Sequence, residues 1–192
     1  TLAVTDFDVL INQAGPATAT PTETVSVVNY VGAGATTLSV ATGPGTSIAL
    51  DADGSLGPLT RASGKLTIDA FGLVEISGGF AVEKSQRTVT LANGSSADVD
   101  LLTIGADNVS AFIGVRGADD NVTTDDFGIV LSGVDAGLAL MTQQPAAGQT
   151  VGSGRSWTTL QASVGSASLV GIDDLTLAVT DFDVLINQAG PA

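Results

Sequence analysis

The amino-acid sequence predicts an all-β protein. Short alternations of apolar and polar residues recur along most of the chain, which is the pattern of strands with one covered face. Glycine, proline and asparagine turn signals separate these stretches, whereas helix-capping signals and apolar stripes at helical spacing are missing. Only 4% of the residues are aromatic and 24 are glycine, a composition that suits thin, regularly stacked sheets better than a bulky interior.

The first predicted strand region, residues 1–11, changes the phase of its alternation part of the way along. Leu2 and Val4 share one phase, and the apolar residues from Phe7 onward share the other. We therefore expect a β-bulge or a corner around Thr5 and Asp6, because one extra residue in a strand disturbs the regular alternation of its two faces.

Shorter strands are expected along the rest of the chain. Residues 15–23 contain proline and threonine without a sustained period, which predicts a loop, and residues 83–87 read as a polar turn. Asn93-Gly94 is a favoured hairpin pair. The predicted strands are residues 25–30, 37–40, 47–50, 88–91, 99–104, 109–115, 129–134, 138–141, 157–164, 167–172 and 175–186, with a denser apolar pattern over residues 66–82.

Five blocks of sequence repeat one theme: a short alternating strand, a small or acidic break, and a second short strand. They begin at residues 66, 102, 129, 160 and 177. The uneven spacing makes this a weak sub-repeat, but it favours the stacking of similar strand pairs. The architecture we expect is an elongated β-solenoid or β-roll, with tandem β-sandwiches as the alternative.

A duplication is the strongest signal in the chain. Residues 1–17, TLAVTDFDVLINQAGPA, return letter for letter as residues 176–192. The simplest interpretation is a chain of near-identical units, each 175 residues long. Residues 1–175 are then one full unit, and residues 176–192 begin the next identical unit. A tag or a deliberately duplicated terminal strand is the alternative.

The charge balance excludes some partners and suggests another. The net charge is −14, of which the second copy of the duplicated stretch contributes two negative charges, leaving −12 for one unit. Six basic residues are too few to bind the phosphates of a nucleic acid. An array of such acidic units repels itself unless cations neutralise it. Every apolar run is well short of the ~18 residues of a membrane span, so we expect none.

The chain contains no cysteine and no histidine. Disulfides, thiolate chemistry, imidazole metal ligands and Ser-His-Asp triads are therefore ruled out. Paired carboxylates could still hydrolyse glycosides, but 20 acidic residues bring some carboxylates close together without any catalytic role. We expect a protein that is not an enzyme.

Calcium is the expected cation, because it binds six to eight oxygen ligands. The densest group of candidate donors, on a predicted loop, is Asp119, Asp120, Asn121, Asp125 and Asp126. A solvated acidic turn is the alternative there. Asp51 and Asp53 form a second, weaker candidate. Leu56 and Ala62 stand where an EF-hand needs glycine and glutamate, so a plain aspartate-rich turn is favoured at that position.

Three stretches carry a resemblance to known proteins: DLLTIGADNVSAFIGV, FGIVLSGVDAGLALM and WTTLQASVGSASLVGIDDLTLAVTDFDVLINQA. From about residue 64 onward, the chain resembles the long tandem repeats of giant bacterial extracellular or cell-surface proteins. The resemblance lies in the rhythm and in the use of small residues. It implies an extracellular or cell-surface location and an adhesive or structural role, often with calcium. The GGxGxDx nonapeptide of the best-known calcium repeats is missing from this sequence.

These observations lead us to expect a structural repeat of a giant secreted bacterial protein. Its neighbours would be identical repeats, together forming an extracellular filament or stalk stabilised by cations. One alternative is an adhesin repeat that binds glycans or a cell surface. The other is a small subunit that polymerises by strand exchange.

Overall fold

The computed structural model describes residues 1–15, 26–117, 125–146, 154–172 and 174–190. Within them the chain is all-β, as predicted, and its only helical element is a 3₁₀ turn at Gly54–Leu56. The predicted loop at residues 15–23 lies almost wholly outside these ranges. The strands are β1 (Leu2–Asn12), β2 (Ser39–Gly43), β3 (Thr46–Ala49), β4 (Leu59–Ala70), β5 (Val74–Thr90), β6 (Ser96–Val115), β7 (Phe127–Gln143), β8 (Ser156–Val170) and β9 (Leu177–Ala189).

The chain divides into two compact units. The larger unit contains residues 1–8 and 62–192, and the smaller unit contains residues 9–61. Strands β1 and β4 therefore contribute residues to both. Among the described residues, none forms a helix with the length and apolar character needed to cross a membrane.

The larger unit is built on a seven-stranded sheet with the order β1-β4-β5-β6-β7-β8-β9. From β5 to β9 each strand pairs antiparallel with the next strand in the sequence, so this part of the sheet is a meander. Strands β1 and β9 lie at the two edges. No solenoid coil is found in the described part of the chain. The all-β class is confirmed, whereas the roll-like architecture stays a prediction.

A line of backbone kinks, which we call the kink row, crosses the sheet. Left-handed backbone interrupts β6 at Asn108 (φ 46°), β7 at Gly133 (φ 61°) and β9 at Asp181 (φ 54°). The registers leave Gly133 opposite Gly165 and Gly165 opposite Asp181, so these interruptions lie side by side. In β1, Asp6 has the same left-handed conformation (φ 51°). This confirms the irregularity predicted at the change of phase.

Residues 83–87 are not a turn, so that prediction was wrong. They lie inside β5 and pair with β6 along their whole length. Polar contacts between the strands support the ladder here: Gln86 Nε2 donates to Asp100 Oδ1 at 2.9 Å, and Thr88 Oγ1 donates to Asp98 Oδ1 at 2.6 Å. Such cross-strand pairs stabilise a solvated sheet face, so a run of polar residues does not require a turn.

The turn between β5 and β6 lies at Asn93-Gly94, as predicted. Gly94 N–H donates to Leu91 O at 2.9 Å, and Leu91 N–H donates to Ser95 O at 2.8 Å. The Asn93 side chain accepts from Ser95 N–H at 3.0 Å. Gly94 has a φ of 82°, which glycine adopts readily because it has no Cβ atom.

The best-covered apolar side chains of the larger unit lie on β6, which has a neighbouring strand on both sides. Val99 has no exposed surface, and Phe112 exposes 3% of its area. At the β4–β5 turn, by contrast, Phe71 exposes 96%. The sheet therefore has a thin core concentrated on its central strand, in keeping with the low aromatic content.

The smaller unit contains the antiparallel β2–β3 hairpin and a hydrogen-bonded region around the 3₁₀ turn. Asp53 caps this turn by accepting from Ser55 N–H at 2.9 Å. Gly54 N–H donates to Asn29 Oδ1 at 3.0 Å. Residues 26–30 were predicted to be part of a strand, but they have no regular structure. Their backbone groups bond to nearby residues outside the strands: Tyr30 N–H donates to Ala52 O at 3.1 Å, and Asn29 O accepts from Thr36 N–H at 2.9 Å.

Candidate functional site

The candidate functional site is the pair of edge strands, because they have the same sequence. Strand β1 and strand β9 belong to the two copies of the duplicated stretch, 175 residues apart. One copy forms the first edge of the sheet and the other copy forms the last. Among the described strands, β4 is the neighbour of the first copy and β8 is the neighbour of the second.

In the first copy, the odd-numbered residues before the kink direct their backbone N–H and C=O groups to β4. The amino group of Thr1 donates to Asp69 O at 2.5 Å, and Asp69 N–H donates to Thr1 O at 2.8 Å. Thr1 and Asp69 are thus a hydrogen-bonded pair. Backbone groups alternate in direction along a strand, so the N–H groups of Ala3 and Thr5 also point to β4.

The second copy uses the opposite alternation before its kink. Gly190 N–H donates to Ser156 O at 2.8 Å, so the even-numbered residues from 182 to 190 point to β8. The strand changes phase at its left-handed residue, because Val4 and Phe7, on either side of Asp6 in the first copy, line the same cleft as Phe80. Side chains and N–H groups alternate together along a strand, so the N–H groups that point to the neighbouring strand change from odd-numbered to even-numbered residues, or the reverse, across the kink. Before Asp181, it is therefore Leu177 and Val179 that point to β8, whereas Ala178 and Thr180 point outward.

The two copies consequently use opposite edges of one strand sequence. Ala3 and Thr5 direct their N–H groups to β4, whereas the equivalent Ala178 and Thr180 direct theirs away from β8. The edge that β1 uses for pairing is the edge that β9 leaves free, and the reverse is also true. A single strand of this sequence can therefore carry both neighbours at once.

Side-chain burial differs at equivalent positions of the two copies. Asn12 exposes 4% of its area, and its Nδ2 donates to Asp53 O at 2.8 Å within the smaller unit. The equivalent Asn187 is exposed. Leu10 is half-buried, whereas its equivalent Leu185 exposes 73%. Neighbouring residues therefore cover Leu10 and Asn12 in the first copy, whereas the equivalent side chains of the second copy are exposed.

An ion pair marks the kink of the first copy. Lys65 Nζ lies 2.9 Å from Asp6 Oδ2. The hydrogen bond with Asp6 and the charge of its carboxylate raise the pKa of Lys65 above its ordinary value. Both side chains are largely solvated, so the pair contributes little to stability.

The five candidate calcium ligands between residues 119 and 126 are only partly described. Asp119, Asp120 and Asn121 lie outside the described residues. Asp125 lies in a turn. Asp126 is fully buried, and its two carboxylate oxygens accept from Arg116 Nη1 at 2.9 Å and from Gly117 N–H at 2.7 Å. This carboxylate is therefore already neutralised by a protein group.

Arg116 is the centre of a charge cluster that the sequence analysis missed. Its guanidinium also binds both carboxylate oxygens of Glu75 and lies 3.9 Å from the centre of the Phe112 ring. The hydrogen bonds that Arg116 donates to Glu75 and to Asp126 raise its pKa despite the opposing effect of burial. The cluster joins β5 to β6 and to the beginning of β7, and it needs no metal to balance the buried Asp126.

At the second calcium candidate, Asp53 is engaged in a local turn. Its Oδ1 accepts from both the N–H and the hydroxyl of Ser55, which is the arrangement of the plain aspartate-rich turn favoured above. Asp51 lies just before this turn. In the described ranges, no group of three or more acidic side chains is arranged to hold a metal ion.

An open cleft of about 580 Å³ lies beside the second copy. Trp157, Thr159 and Met141 line it from the neighbouring strands, and Asn187 lines it from β9. The guanidinium of Arg155 lies 4.9 Å from the centre of the Trp157 ring. The cleft thus combines an aromatic ring with amide and hydroxyl groups.

Comparisons with protein-family models, with curated proteins and with solved structures find no match for this chain. Its function is therefore inferred from the duplication and from the geometry of the sheet.

Proposed function

We propose that the chain is a structural repeat unit followed by the start of the next unit. Many such units would form an extracellular filament or stalk of a giant secreted bacterial protein. The observation that carries this proposal is the use of opposite edges by the two copies of one strand. A duplicated strand with no structural role has no reason to occupy both edges of one sheet.

In such an array, β9 is at once the last strand of one unit and the first strand of the next. The strand pairs with β8 through one edge and with the β4 of the following unit through the other. Exposed edge strands are sites of unwanted association, and this arrangement covers both edges at every internal junction. The sheet continues through the junction, and backbone hydrogen bonds hold successive units together.

The proposal includes an elongated, roll-like succession of sheets, with tandem sandwiches as the alternative arrangement. It also includes a cation-rich, extracellular setting, because each unit carries a net charge of −12 and like-charged units repel. Calcium bound by Asp119, Asp120, Asn121 and Asp125 would be one form of this neutralisation, whereas Asp126 is already paired with Arg116. Chelation should then weaken lateral bundling of filaments while leaving the covalent array intact.

Hydrogen exchange in a two-unit chain tests the continuous sheet. In this chain, an added segment with the sequence of residues 1–175 precedes the full sequence. Residues 1–17 of the full sequence then stand at positions 176–192 of the longer chain and form the junction strand. The amides of Ala178 and Thr180 at the junction should exchange slowly, together with those of Leu177 and Val179. In the single chain, only Leu177 and Val179 should be protected. Rapid exchange of either pair at the junction contradicts the proposal.

The mass of the native polypeptide separates an array from a small subunit. Under denaturing conditions, the natural polypeptide should be many times heavier than the 19.0 kDa of this sequence. A native chain close to 19.0 kDa would remove the covalent array and favour polymerisation of separate subunits.

Glycan binding is a second candidate function, favoured by the cleft beside Trp157. Aromatic rings and amide groups together recognise sugars through stacking and hydrogen bonds. The repeat would then act as an adhesin and bind a glycan at a cell surface. A glycan array probed with the 192-residue chain tests this function, with Trp157→Ala as the control. Signals that survive the substitution would contradict binding at this cleft.

A further inference from the structure

We propose that separate chains also join head to tail by strand exchange. The occupant is a second copy of this chain: β9 of one molecule takes the place of β1 in another. This inference rests on the proposed function, because it uses the same pairing at a chain end instead of within one chain. It adds a non-covalent contact between molecules.

The backbone of β9 is already arranged for this exchange. The free edge of β9 carries the N–H groups of Ala178 and Thr180, the equivalents of the groups that β1 directs to β4. An incoming β9 therefore pairs with a second molecule's β4 without leaving its own β8. Only β1 of the second molecule has to leave.

The side chains reproduce the contacts of the strand that leaves. Asp181 would meet Lys65 of the second molecule, as Asp6 does at 2.9 Å. Asn187 would find the carbonyl oxygen of Asp53, which Asn12 uses at 2.8 Å. Because the incoming and outgoing strands have the same sequence, no contact has to be redesigned.

Strand β1 is a suitable strand to displace. It lies at an edge, and its apolar side chains remain well exposed, with Leu2 at 71% and Phe7 at 64%. The exchange conserves the number of contacts, so its equilibrium depends on concentration and on how firmly β1 is held. Unlike edges meet in this contact, so it does not close by two-fold symmetry and can extend into chains of molecules.

Two proline substitutions act on this equilibrium in opposite directions. Ala3→Pro removes an N–H that bonds to β4 and loosens β1. Head-to-tail oligomers should therefore form at a concentration at least about tenfold lower than that needed by the unmodified chain. Ala178→Pro removes an outward N–H of β9, so the chain should fold but stay monomeric. Val4→Pro is the matched control, because the N–H of Val4 points to solvent and proline is tolerated there.

Sedimentation over a range of concentrations measures the oligomers, and circular dichroism checks that each variant keeps its strands. A synthetic peptide of residues 1–17 should bind the Ala3→Pro chain and block its assembly, whereas the same peptide carrying Ala3→Pro should do neither. A folded Ala3→Pro chain that stays monomeric and binds no peptide overturns the inference.

The unmodified chain provides a second test in case Ala3→Pro fails to fold. Fluorescently labelled peptide 1–17 should exchange slowly into the 192-residue chain, with a rise in fluorescence anisotropy that unlabelled peptide reverses. An unchanged anisotropy overturns the inference. Hydrogen exchange at the junction of the two-unit chain is independent of these results, so failure of strand exchange alone leaves the proposed repeat standing.

Discussion

Strands β1 and β9 share a sequence but have different surroundings. The first copy pairs with β4 and has a half-buried Leu10, whereas the second copy pairs with β8 and exposes 73% of the equivalent Leu185. The strand sequence is therefore compatible with two neighbours and does not by itself select one. Position in the chain decides which edge is used.

This comparison also shows what a central strand gains. Strand β6 has a partner on each side and carries the fully buried Val99, while both copies at the edges remain mostly exposed. In an array, a strand shared by two units would have a partner strand on each side, as β6 has. Substitutions inside the sheet and at its two edges test this difference.

The largest effect is expected at the buried charge cluster. Arg116→Met leaves Asp126 buried without its cation, which should lower the free energy of unfolding by about 3–5 kcal/mol. Urea denaturation followed by circular dichroism measures the loss. Replacing both partners, with Asp126→Asn added to Arg116→Met, should recover part of it. A loss below about 1 kcal/mol would mean that the pair behaves like a solvated edge pair.

Adjacent proline substitutions in β9 should have unequal effects. Val179→Pro removes an N–H that bonds to β8 and leaves the partner carbonyl without its donor, so the free energy of unfolding should fall by about 1–3 kcal/mol. Ala178→Pro removes an outward N–H, so its effect should be much smaller. Trp157 is the only tryptophan and lies on β8, so its fluorescence reports the loss of β9. Equal losses would contradict the assigned edges.

The two asparagines provide a comparison of side chains. Asn12→Ala removes a buried hydrogen bond and leaves the Asp53 carbonyl without this donor, which should cost about 1 kcal/mol. Asn187→Ala, at the exposed equivalent, should change stability by less than about 0.5 kcal/mol. In a two-unit chain, the junction asparagine should respond as Asn12 does. Denaturant midpoints of the matched variants test this, and equal losses in the single chain would contradict the contrast.

The smallest effect is a pH dependence that involves only the first copy. The pKa of Lys65 is raised in the folded state above its ordinary value of 10.5. The contribution of its ion pair is therefore complete below the unfolded pKa and is lost as the pH rises through the folded pKa. Asp6→Asn should remove this small loss of stability above about pH 10.5, whereas Asp181→Asn should not. Thermal unfolding across that pH range measures the difference.

The sequence was informative wherever a local signal decides the structure. The change of phase at Asp6 predicted a kink, and Asn93-Gly94 predicted a turn. Most of the repeated blocks also contain their break at the kink row, as at Gly133 and Asp181. The block that begins at residue 66 differs, because its break is the turn between β4 and β5.

Non-local features could not be predicted in the same way. Glu75 and Arg116 are 41 residues apart in the chain and meet only because β5 pairs with β6. The acidic run near Asp126 therefore suggested calcium, while its described buried member is paired with arginine. In the same way, the duplicated sequence indicated a repeat but contained no sign of which edge each copy would use.

The unlike edges of the sheet give any assembly of these units a polarity. A molecule that presents β1 at one end and β9 at the other has a beginning and a terminus, and a row of them points in one direction. Growth at one terminus then differs chemically from growth at the other, because one offers a strand and the other offers a place for it. An anchor or cap that recognises only one terminus could therefore set the direction and the length of the whole row.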